Sequence, residues 1–334
     1  MAEANAASSQ DEPFTERNPV KSIAIQAYGP ATRLQLMDLP RPEVGPDQLL
    51  IRVKAASVNP IDWKIRYGEL RWILPLKFPA VLGFDVAGEI ESVGGNLTNQ
   101  WTVGEEVCAY ANHAPGGGYA EYISVDADCV VRKPANLSPL EAASFPLAAS
   151  TAWQSLFDIC SLRPGDNVLV NGASGGVGIF ATQIAKIHHA TVTAVCSGRN
   201  EALMRELGAD DVINYHQVDF TQTNRKFDVI FDAVGKASYR DCCRVLDRNG
   251  RFATTLPSAE TAAFTVISKF QRRRCGIIWA TSRKKDLQAI YGLAEQGKLR
   301  TIIDEVFPLE QAADAHRKSE DGHAVGKIVL QVAE

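Results

Sequence analysis

The sequence lacks any excess of positive charge. Its 334 residues include 35 Lys and Arg against 39 Asp and Glu, which gives a formal net charge of −4. A chain with this balance has no surplus of cations to neutralise a phosphate backbone, so we expect no nucleic-acid partner. A short basic run, Arg272–Arg274, is most simply interpreted as a solvated face.

Long apolar stretches are also missing. No run approaches the roughly 18 residues that a membrane-spanning helix needs, so we expect no integral membrane association. Hydrophobic residues nevertheless make up 46% of the chain and charged residues 22%, which is an ordinary globular composition. At about 150 residues per domain, the length predicts two domains that each bury a core.

The cysteines do not form the pattern of a disulfide framework. There are seven, an odd number without a Cys-x-x-Cys pair, and the adjacent Cys242 and Cys243 are poorly placed to bridge each other. Such usage is typical of reduced thiols in a cytosol. Residues 1–20 contain four acidic side chains and no apolar segment, so we interpret them as a flexible N-terminal tail rather than a targeting peptide. A cytoplasmic location is therefore predicted.

Two kinds of secondary-structure pattern follow each other along the chain. From Lys21 to about Pro134, short runs rich in Val, Ile and aromatic residues alternate with Gly, Pro and Asp turns, which predicts a closed or partly closed antiparallel barrel. Ser138 then precedes Pro139 and Glu141 with the spacing of a helix-capping box. From Asp166 onward, apolar strands alternate with helices, which predicts a parallel sheet covered on both faces.

The strongest chemical motif is NGASGGVG at residues 171–178, which follows a predicted strand and begins a predicted helix. Gly175 and Gly178 match the second and third glycines of the dinucleotide fingerprint, and Ala173 occupies the place of the first. Backbone N–H groups at such a turn, together with the helix N-terminus, favour a pyrophosphate. The candidate cofactor-binding residues of this loop are Ala173, Ser174, Gly175, Gly176, Val177 and Gly178.

The end of the next predicted strand indicates which nicotinamide cofactor is used. An Asp or Glu that binds the ribose 2′-hydroxyl is absent from residues 196–200, where Ser197 and Arg199 stand instead. A hydroxyl and a guanidinium suit a 2′-phosphate, so NADPH is predicted, although Arg199 is also explained as a solvated turn residue. Tyr215, at the end of the third strand, either flanks the same phosphate or packs at the strand end.

Several segments together resemble a known family. ASVNPIDWKIRYG (56–68), FPAVLGFDVAGEIESVG (78–94), GGGYAEY (116–122) and ASGGVG (173–178) resemble the zinc-independent quinone oxidoreductase branch of the medium-chain dehydrogenase/reductase superfamily. The ending GHAVGKIVL (322–330) is similar to that of chloroplast-envelope-type quinone and enone oxidoreductases.

The resemblance implies an α/β fold in which a doubly wound Rossmann sheet is joined to a β-rich GroES-like barrel domain. Residues 21–145 and 299–334 would form the GroES-like catalytic and substrate domain, and residues 146–298 the Rossmann NADP-binding domain. The resemblance also implies a homodimer formed through Rossmann edge strands.

The resemblance further implies that no metal is bound. Alcohol dehydrogenases of this superfamily hold a catalytic zinc through Cys and His at three places, which here hold Asn59, Phe84 and Ala148–Ala149. Zinc needs N or S donors in tetrahedral array, and neither Phe nor Ala can donate. Without a metal to polarise an alcohol, the expected acceptor is electrophilic through its own conjugation.

The predicted function is therefore NADPH-dependent hydride transfer to quinones or α,β-unsaturated carbonyls. Two alternatives remain open at this point. An enoyl-thioester reductase would prefer a thioester to a free enone. A crystallin-like protein that binds NADPH without turnover would keep the glycine-rich loop and lose the substrate geometry.

Four residues are the catalytic candidates. Asn59 has two possible roles. It binds the substrate oxygen or the nicotinamide ribose, or it has the structural role of capping a turn before Pro60. Asp62 and Lys64 follow on the same segment, and Lys64 either stabilises a developing enolate or is an exposed lysine. Thr151 lies where the family contacts the nicotinamide, and is otherwise explained as a hydroxyl near a helix N-terminus.

The remaining cofactor candidates come from the second half of the chain. Leu256 and Pro257 follow the last predicted sheet strand and are expected beside the nicotinamide. Lys327 and the preceding Gly326 lie in a segment that resembles a loop closing over the cofactor. Val234, which follows the strand predicted at 227–232, completes the set.

Overall fold

A computed structural model describes residues 19–333 of the chain. The predicted flexible tail at residues 1–20 falls outside these residues except for its last two, and Val20 already begins the first strand. Among residues 19–333, no helix is both long enough and apolar enough to cross a bilayer.

The secondary-structure elements are numbered in chain order. The strands are β1 Val20–Ile25, β2 Gln35–Leu39, β3 Gln48–Val58, β4 Ala80–Val81, β5 Asp85–Val93, β6 Glu106–Tyr110, β7 Tyr122–Asp126, β8 Val130–Arg132, β9 Asn167–Asn171, β10 Thr191–Cys196, β11 Asp211–Asn214, β12 Phe227–Asp232, β13 Leu246–Thr254, β14 Arg274–Ile277, β15 Ile303–Pro308 and β16 Lys327–Gln331. The α-helices are α1 Pro60–Tyr67, α2 Pro139–Ala143, α3 Pro146–Gln154, α4 Gly178–Ile187, α5 Glu201–Glu206, α6 Tyr239–Cys242, α7 Ala259–Ile267, α8 Lys284–Glu295 and α9 Ala312–Glu320.

The barrel lobe is organised around the long strand β3. This strand pairs antiparallel with β5, β7 and β16 in a sheet of order β15-β16-β3-β5-β6-β8. The C-terminal strand thus returns to the first half of the chain, with Ile328 opposite Val58. A smaller sheet, β2-β1-β4, packs beside it. The position of β16 next to β3 brings the end of the chain to the start of α1.

The second lobe is a six-stranded sheet of order β11-β10-β9-β12-β13-β14, in which every neighbouring pair is parallel. Its central strands are fully buried, for example at 168–170, because helices cover both faces. The order reverses between β9 and β12, and the carboxyl ends of strands at such a switch point form a crevice for ligands. The predicted fold class, a doubly wound Rossmann sheet with a GroES-like barrel lobe, is confirmed.

Local signals in the sequence explain where two helices begin. Ser138 is the N-cap of α2, and its hydroxyl accepts from the N–H of Glu141 as predicted. The helix ends after one turn, because Pro146 has no N–H to continue it and begins α3 instead. Asn59 is the N-cap of α1, where the carboxylate of Asp62 accepts from the Asn59 N–H at 2.7 Å, and the chain continues from this cap as a helix to Tyr67.

Direct contacts hold the two lobes together. The hydroxyl of Tyr291 on α8 donates to the carbonyl oxygen of Ala142 at 2.7 Å, and the hydroxyl of Tyr110 on β6 donates to that of Ala280 at 3.0 Å. One buried apolar cluster includes Ile51 of the barrel and Phe180 of the parallel-sheet lobe. The crevice at the carboxyl ends of the parallel strands is therefore closed on one side by the barrel.

Candidate active site

The glycine-rich loop forms the turn between β9 and α4. A Cβ atom at Gly178 would lie 2.2 Å from the carbonyl oxygen of Gly172, so only glycine permits α4 to pack this closely. A Cβ atom at Gly175 would meet only that same oxygen, at 3.4 Å, which leaves its other side open to a ligand. The left-handed residue of this turn is Gly172, with φ of 76°, and Ala173, which occupies the place of the fingerprint's first glycine, is fully buried.

The C-terminal segment closes on this loop. The N–H of Gly326 donates to the carbonyl oxygen of Ser174 at 2.8 Å, and Gly326 forms a parallel bridge with Gly175. A Cβ atom at Gly176 would lie 3.0 Å from Cδ of Lys327. The stem of Lys327 therefore lies against the loop, while its ammonium group extends toward the barrel lobe.

The ammonium group of Lys327 enters a buried polar cluster. Nζ donates to Oδ1 of Asn59 at 2.5 Å and lies 3.8 Å from Oδ2 of Asp85. Asp85 in turn accepts from Nδ2 of Asn59, from the hydroxyl of Ser57 and from the N–H of Leu147, each at 2.8 Å. Lys327, Asn59 and Asp85 are 3%, 1% and 0% exposed, so water does not compete for these bonds. We call Lys327, Asn59 and Asp85 the cleft cluster.

Burial dominates the electrostatics of the cleft cluster. It raises the pKa of Asp85, although the ammonium of Lys327 and the bonds from Asn59 and Ser57 act in the opposite direction. Burial likewise lowers the pKa of Lys327, opposed by the charge of Asp85. A buried ion pair persists only when hydrogen bonds satisfy its remaining atoms, and the three donors to Asp85 meet that need.

Asp62 lies next to this cluster and is fully buried. Its Oδ2 accepts from the N–H of Asn59 and from the hydroxyl of Tyr119 at 3.0 Å, whereas Oδ1 has no hydrogen-bond partner within residues 19–333. Burial, reinforced by the charge of Asp85, raises the pKa of Asp62 to about 7. A substantial fraction of Asp62 is therefore protonated at neutral pH.

A chain of hydrogen bonds continues from Asp62 to the surface. Nε2 of His316 lies 3.2 Å from the Tyr119 oxygen, and Nδ1 lies 3.0 Å from Nη1 of Arg66. The guanidinium can only donate, so Nδ1 accepts and Nε2 carries the proton. Burial, with the charge of Arg66, lowers the pKa of His316 to about 3, so the ring is neutral. Nη2 of Arg66 ends the chain by donating to Glu320 at 2.6 Å.

The residues predicted for the ribose end lie together at the carboxyl ends of β10 and β11. Ser197 is the N-cap of a short 3₁₀ turn that includes Arg199, and Tyr215 is 51% exposed. Nη2 of Arg199 donates to the carbonyl oxygen of His323 at 3.2 Å, beside a cavity of about 490 Å³. Arg199 is exposed and borders this cavity together with Lys318, Asp304 and Asp321.

Thr151 and Lys64 differ in their burial and in their contacts. The hydroxyl of Thr151 donates to the carbonyl oxygen of Leu147 at 2.8 Å, and Leu147 is the residue whose N–H binds Asp85. Lys64 is half-buried, which lowers its pKa, and it has no ion pair within residues 19–333. Its ammonium lies 5.4 Å from the centre of the Trp63 ring.

The loop after β12 depends on a residue that the sequence analysis missed. Asp232 is buried, and its carboxylate accepts from the N–H groups of Val234, Gly235 and Ala237. A Cβ atom at Gly235 would lie 2.4 Å from Cβ of Leu256, so the loops after β12 and β13 pack side by side. Pro257, the next residue, is exposed. In the sequence, the only sign of this role is that an Asp stands at the end of the apolar strand predicted at 227–232.

Asp85, Ser57, Tyr119, His316 and Arg66 were also missed as contributors to the site. Asp85 was visible in the motif Gly83-Phe84-Asp85, but nothing in the local pattern indicates that it meets Lys327, 242 positions later. Within residues 19–333, no three His, Cys, Asp or Glu side chains are grouped as metal ligands. The side chains at the three zinc-ligand positions remain Asn59, Phe84 and Ala148–Ala149, and the absence of zinc stays a prediction.

The parallel sheet, the glycine-rich turn and the barrel lobe define a two-lobed oxidoreductase that uses a nicotinamide dinucleotide. Residues 45–135 match the alcohol dehydrogenase GroES-like domain, and residues 207–330 match the zinc-binding dehydrogenase family. The chain belongs to the medium-chain dehydrogenase/reductase superfamily.

Three relatives illustrate the similarity. The chain is 33% identical over 322 residues to the chloroplast envelope quinone oxidoreductase homolog of Arabidopsis thaliana, covering 93% of this chain and 98% of the relative. It is 31% identical to the 2-methylene-furan-3-one reductase of Solanum lycopersicum, covering 93% and 79%. The solved structure of the quinone oxidoreductase from Coxiella burnetii superposes with a TM-score of 0.85 at 34% identity, covering 94% and 99%.

The raised pKa of Asp62 predicts a pH-dependent effect of Asp62→Asn. Because the pKa rises from 3.8 to about 7 on folding, the wild type loses stability as the pH increases between these values. The amide keeps an acceptor for the Asn59 N–H and the Tyr119 hydroxyl but does not ionise. We expect the thermal unfolding midpoint of the variant to exceed that of the wild type by at least about 3 °C at pH 8 and by less at pH 4.5.

The matched control for this experiment is Asp128→Asn, which removes an exposed carboxylate from the same lobe. Unfolding midpoints of all three proteins are measured by calorimetry at intervals from pH 4.5 to pH 8. A difference between Asp62→Asn and wild type that is the same at every pH would contradict the assignment.

Proposed function

We propose that the chain is a zinc-independent, NADPH-dependent reductase that transfers hydride to quinones or to conjugated enones and alkenals. The observation that carries the proposal is the contact of Gly326 and Lys327 with the glycine-rich loop, which brings a buried amide, ammonium and carboxylate to the junction of cofactor loop and barrel. The names of the similar quinone oxidoreductases and of the furanone reductase support this substrate class.

The residues of the crevice fit a bound dinucleotide. The open side of Gly175 and the N-terminus of α4 suit a pyrophosphate. Val234 and Leu256, on loops that pack side by side, are proposed to line the nicotinamide half. Bound reduced nicotinamide supplies a hydride to an electrophilic carbon.

The amide of Asn59 has a defined remaining capacity. Its Oδ1 accepts from Lys327 and one Nδ2 hydrogen is donated to Asp85, while the capping box of α1 directs the N–H of Asp62 to the same side chain, which leaves one donor hydrogen. A free N–H donor suits the oxygen of a hydroxyl group. Asn59 is therefore proposed to hold a ribose hydroxyl, with Lys327 and Asp85 as positioning residues and Thr151 on the adjoining helix.

Lys64 is proposed to stabilise the charge that develops on the acceptor oxygen. It is half-buried, and no carboxylate within residues 19–333 pairs with it. A cation in a partly desolvated site interacts more strongly with a developing oxyanion than one in bulk water. The enolate or hydroquinone anion then takes its proton from water.

The side chains at the zinc-ligand positions support an acceptor that needs no Lewis acid. Phe84 is 9% exposed and packs edge-on against Tyr110, with ring centres 6.5 Å apart. Ala148 and Ala149 are buried in α3. None of these side chains offers N or S to a metal.

Lys64→Met tests the proposed role of the cation. Removing a charge that is felt mainly in the transition state should lower kcat/KM for a 2-alkenal and for a quinone by about tenfold to a hundredfold while KM for NADPH stays constant. Steady-state NADPH oxidation measures both constants. The control is Lys77→Met, an exposed lysine in the segment after α1.

Two results would contradict the proposed function. Saturable NADPH binding without acceptor-dependent turnover would indicate a binding protein. A much higher kcat/KM for an enoyl thioester than for the free enone of the same chain length would indicate a thioester reductase. Equal loss of activity in Lys64→Met and Lys77→Met would not contradict the substrate class, but it would show that Lys64 does not stabilise the acceptor oxygen.

NADPH preference is proposed to depend on Arg199 and Ser197. We expect Arg199→Ala to raise KM for NADPH by about tenfold to a hundredfold and to leave KM for NADH unchanged, because only NADPH has the 2′-phosphate. Arg205→Ala, an exposed arginine on α5 paired with Glu201, is the control. An equal rise in KM for NADPH and for NADH would show that Arg199 stabilises the conformation of the loop and does not bind the 2′-phosphate.

A homodimer is proposed to form at the β14 edge of the parallel sheet. Within residues 19–333, β14 pairs with no strand other than β13, although the N–H of Cys275 on β14 donates to the hydroxyl of Ser268. Nearby side chains are apolar and exposed, with Phe270 at 91%, Val266 at 61% and Trp279 at 55%. An exposed apolar patch beside an open strand edge is typical of an interface.

The double variant Val266→Asp/Phe270→Asp should dissociate this dimer, because both charges would be buried unpaired in the interface. Light scattering coupled to gel filtration should give the mass of two chains for the wild type and of one for the variant. Trp72→Asp, which changes an 86% exposed side chain on the barrel lobe, should remain dimeric. A monomeric wild type would overturn the proposal.

A cytoplasmic location is also proposed. All seven cysteines are unbridged, and burial raises the pKa of thiols such as Cys108 and Cys160 to about 12. Protonated, buried thiols are suited to a reducing compartment.

A further inference from the structure

A second cavity lies at the amino ends of β13 and β14, whereas the glycine-rich loop, Ser197, Val234 and Leu256 all follow carboxyl ends. It has a volume of about 360 Å³. The residues that line it are Tyr239, Arg240, Cys243, Arg248, Phe264, Gln271, Arg272 and Arg273. We call this space the arginine pocket.

Positive charge accumulates in the arginine pocket although the chain as a whole has a net charge of −4. Arg248 and Arg272 are exposed and have neither a hydrogen bond nor an ion pair within residues 19–333. The pocket has four guanidinium groups, those of Arg240, Arg248, Arg272 and Arg273. Within residues 19–333, the only carboxylate paired with any of them is that of Glu260, which lies 3.9 Å from Arg240. Like charges that line one cavity repel one another, and a bound anion would relieve that repulsion.

One of the four arginines is held rigidly. Nε of Arg273 donates to the carbonyl oxygen of Asp247 at 2.9 Å, and Nη2 donates to that of Leu246 at 3.0 Å. Its remaining N–H groups are free to bind a ligand. A fixed guanidinium offers its donors without the entropy cost of ordering a flexible side chain.

A buried hydroxyl beside the pocket has only a weak partner. Tyr239 is 1% exposed, and its ring packs between Phe252 and Phe264 with centres 5.5 and 4.8 Å away. Within residues 19–333, its hydroxyl has no hydrogen bond to a nitrogen or oxygen atom and interacts with the thiol of Cys243, a weak hydrogen-bonding group. A ligand oxygen would give this hydroxyl a stronger partner.

We propose that the arginine pocket binds a small anion that carries two or more phosphate groups. Guanidinium groups bind phosphate oxygens in pairs, and four of them require several negative charges on the ligand. The Tyr239 hydroxyl, whose partner among residues 19–333 is the weakly accepting thiol of Cys243, donates to one of the phosphate oxygens. The site is separate from the dinucleotide crevice, because its residues lie at the opposite end of the parallel strands.

Calorimetric titration of the full chain with tripolyphosphate, at low ionic strength, tests the proposal. We expect one site per chain, an affinity that falls as salt is added, and no change when NADPH is present at saturation. ATP serves as a second probe. Equal affinity for both probes would assign the binding to the phosphates alone, and tighter binding of ATP would add a contact of the base with Phe264; both results support the site.

Variants locate the binding. Arg248→Gln/Arg272→Gln should weaken tripolyphosphate binding about tenfold, since both side chains are unpaired and their loss does not disturb the fold. Tyr239→Phe should also weaken it with little change in the thermal unfolding midpoint, because the hydroxyl that is removed interacts only with the thiol of Cys243. Arg205→Gln, on the helix α5 that precedes β11 at the other edge of the sheet, should bind as the wild type does.

Four results would overturn the proposal. These are no saturable binding at millimolar tripolyphosphate, unchanged affinity in the double arginine variant, displacement of tripolyphosphate by NADPH, or dissociation of a dimer by the arginine substitutions without any effect on anion binding. The last result would assign the four arginines to a subunit interface. None of these results depends on whether the chain reduces enones.

Discussion

The hydrogen bond from the ammonium of Lys327 to the amide oxygen of Asn59 joins the two halves of the site. Lys327 belongs to the last strand, Asn59 precedes the first helix, and the residue before Lys327 is bonded to the glycine-rich loop. Burying an ammonium costs several kcal/mol unless a counter-charge and hydrogen bonds compensate. Asp85 supplies the counter-charge, and its other bonds reach β3 and α3. Cofactor loop, barrel and C-terminal strand therefore depend on one another for their positions.

This dependence extends outward through a second set of buried polar groups. Asp62 fixes the start of α1, and the hydrogen-bonded series Tyr119, His316 and Arg66 connects it to α9, the helix that precedes the C-terminal strand. Because the ring of His316 is uncharged, it adds no charge next to Asp62. Its hydrogen bond to the Tyr119 oxygen orients the Tyr119 hydroxyl toward Asp62. Helix α1 and strand β16, which carry Asn59 and Lys327, are thus positioned by the same network.

Local patterns in the sequence predict the fold and the position of the glycine-rich loop, and they predict little of the polar network. The glycine-rich loop and the capping box at Ser138 are recognisable because each depends on residues a few positions apart. The left-handed residue of the loop is Gly172, one position before the residue on which the fingerprint aligns. The bond between Asn59 and Lys327 spans 268 positions, and only the antiparallel pairing of β16 with β3 creates it. Arg66 and His316, 250 positions apart, are likewise joined by packing alone.

The central claim is that this cleft directs hydride from a nicotinamide to the conjugated carbon of its acceptor, without activation of a carbonyl by a metal. The most direct measurement uses NADPH deuterated at C4 of the nicotinamide and an enone in ordinary water, with the product examined by nuclear magnetic resonance. The account predicts deuterium on the β-carbon, hydrogen from water on the α-carbon and an intact carbonyl. Deuterium on the carbonyl carbon, in an allylic alcohol product, would contradict it.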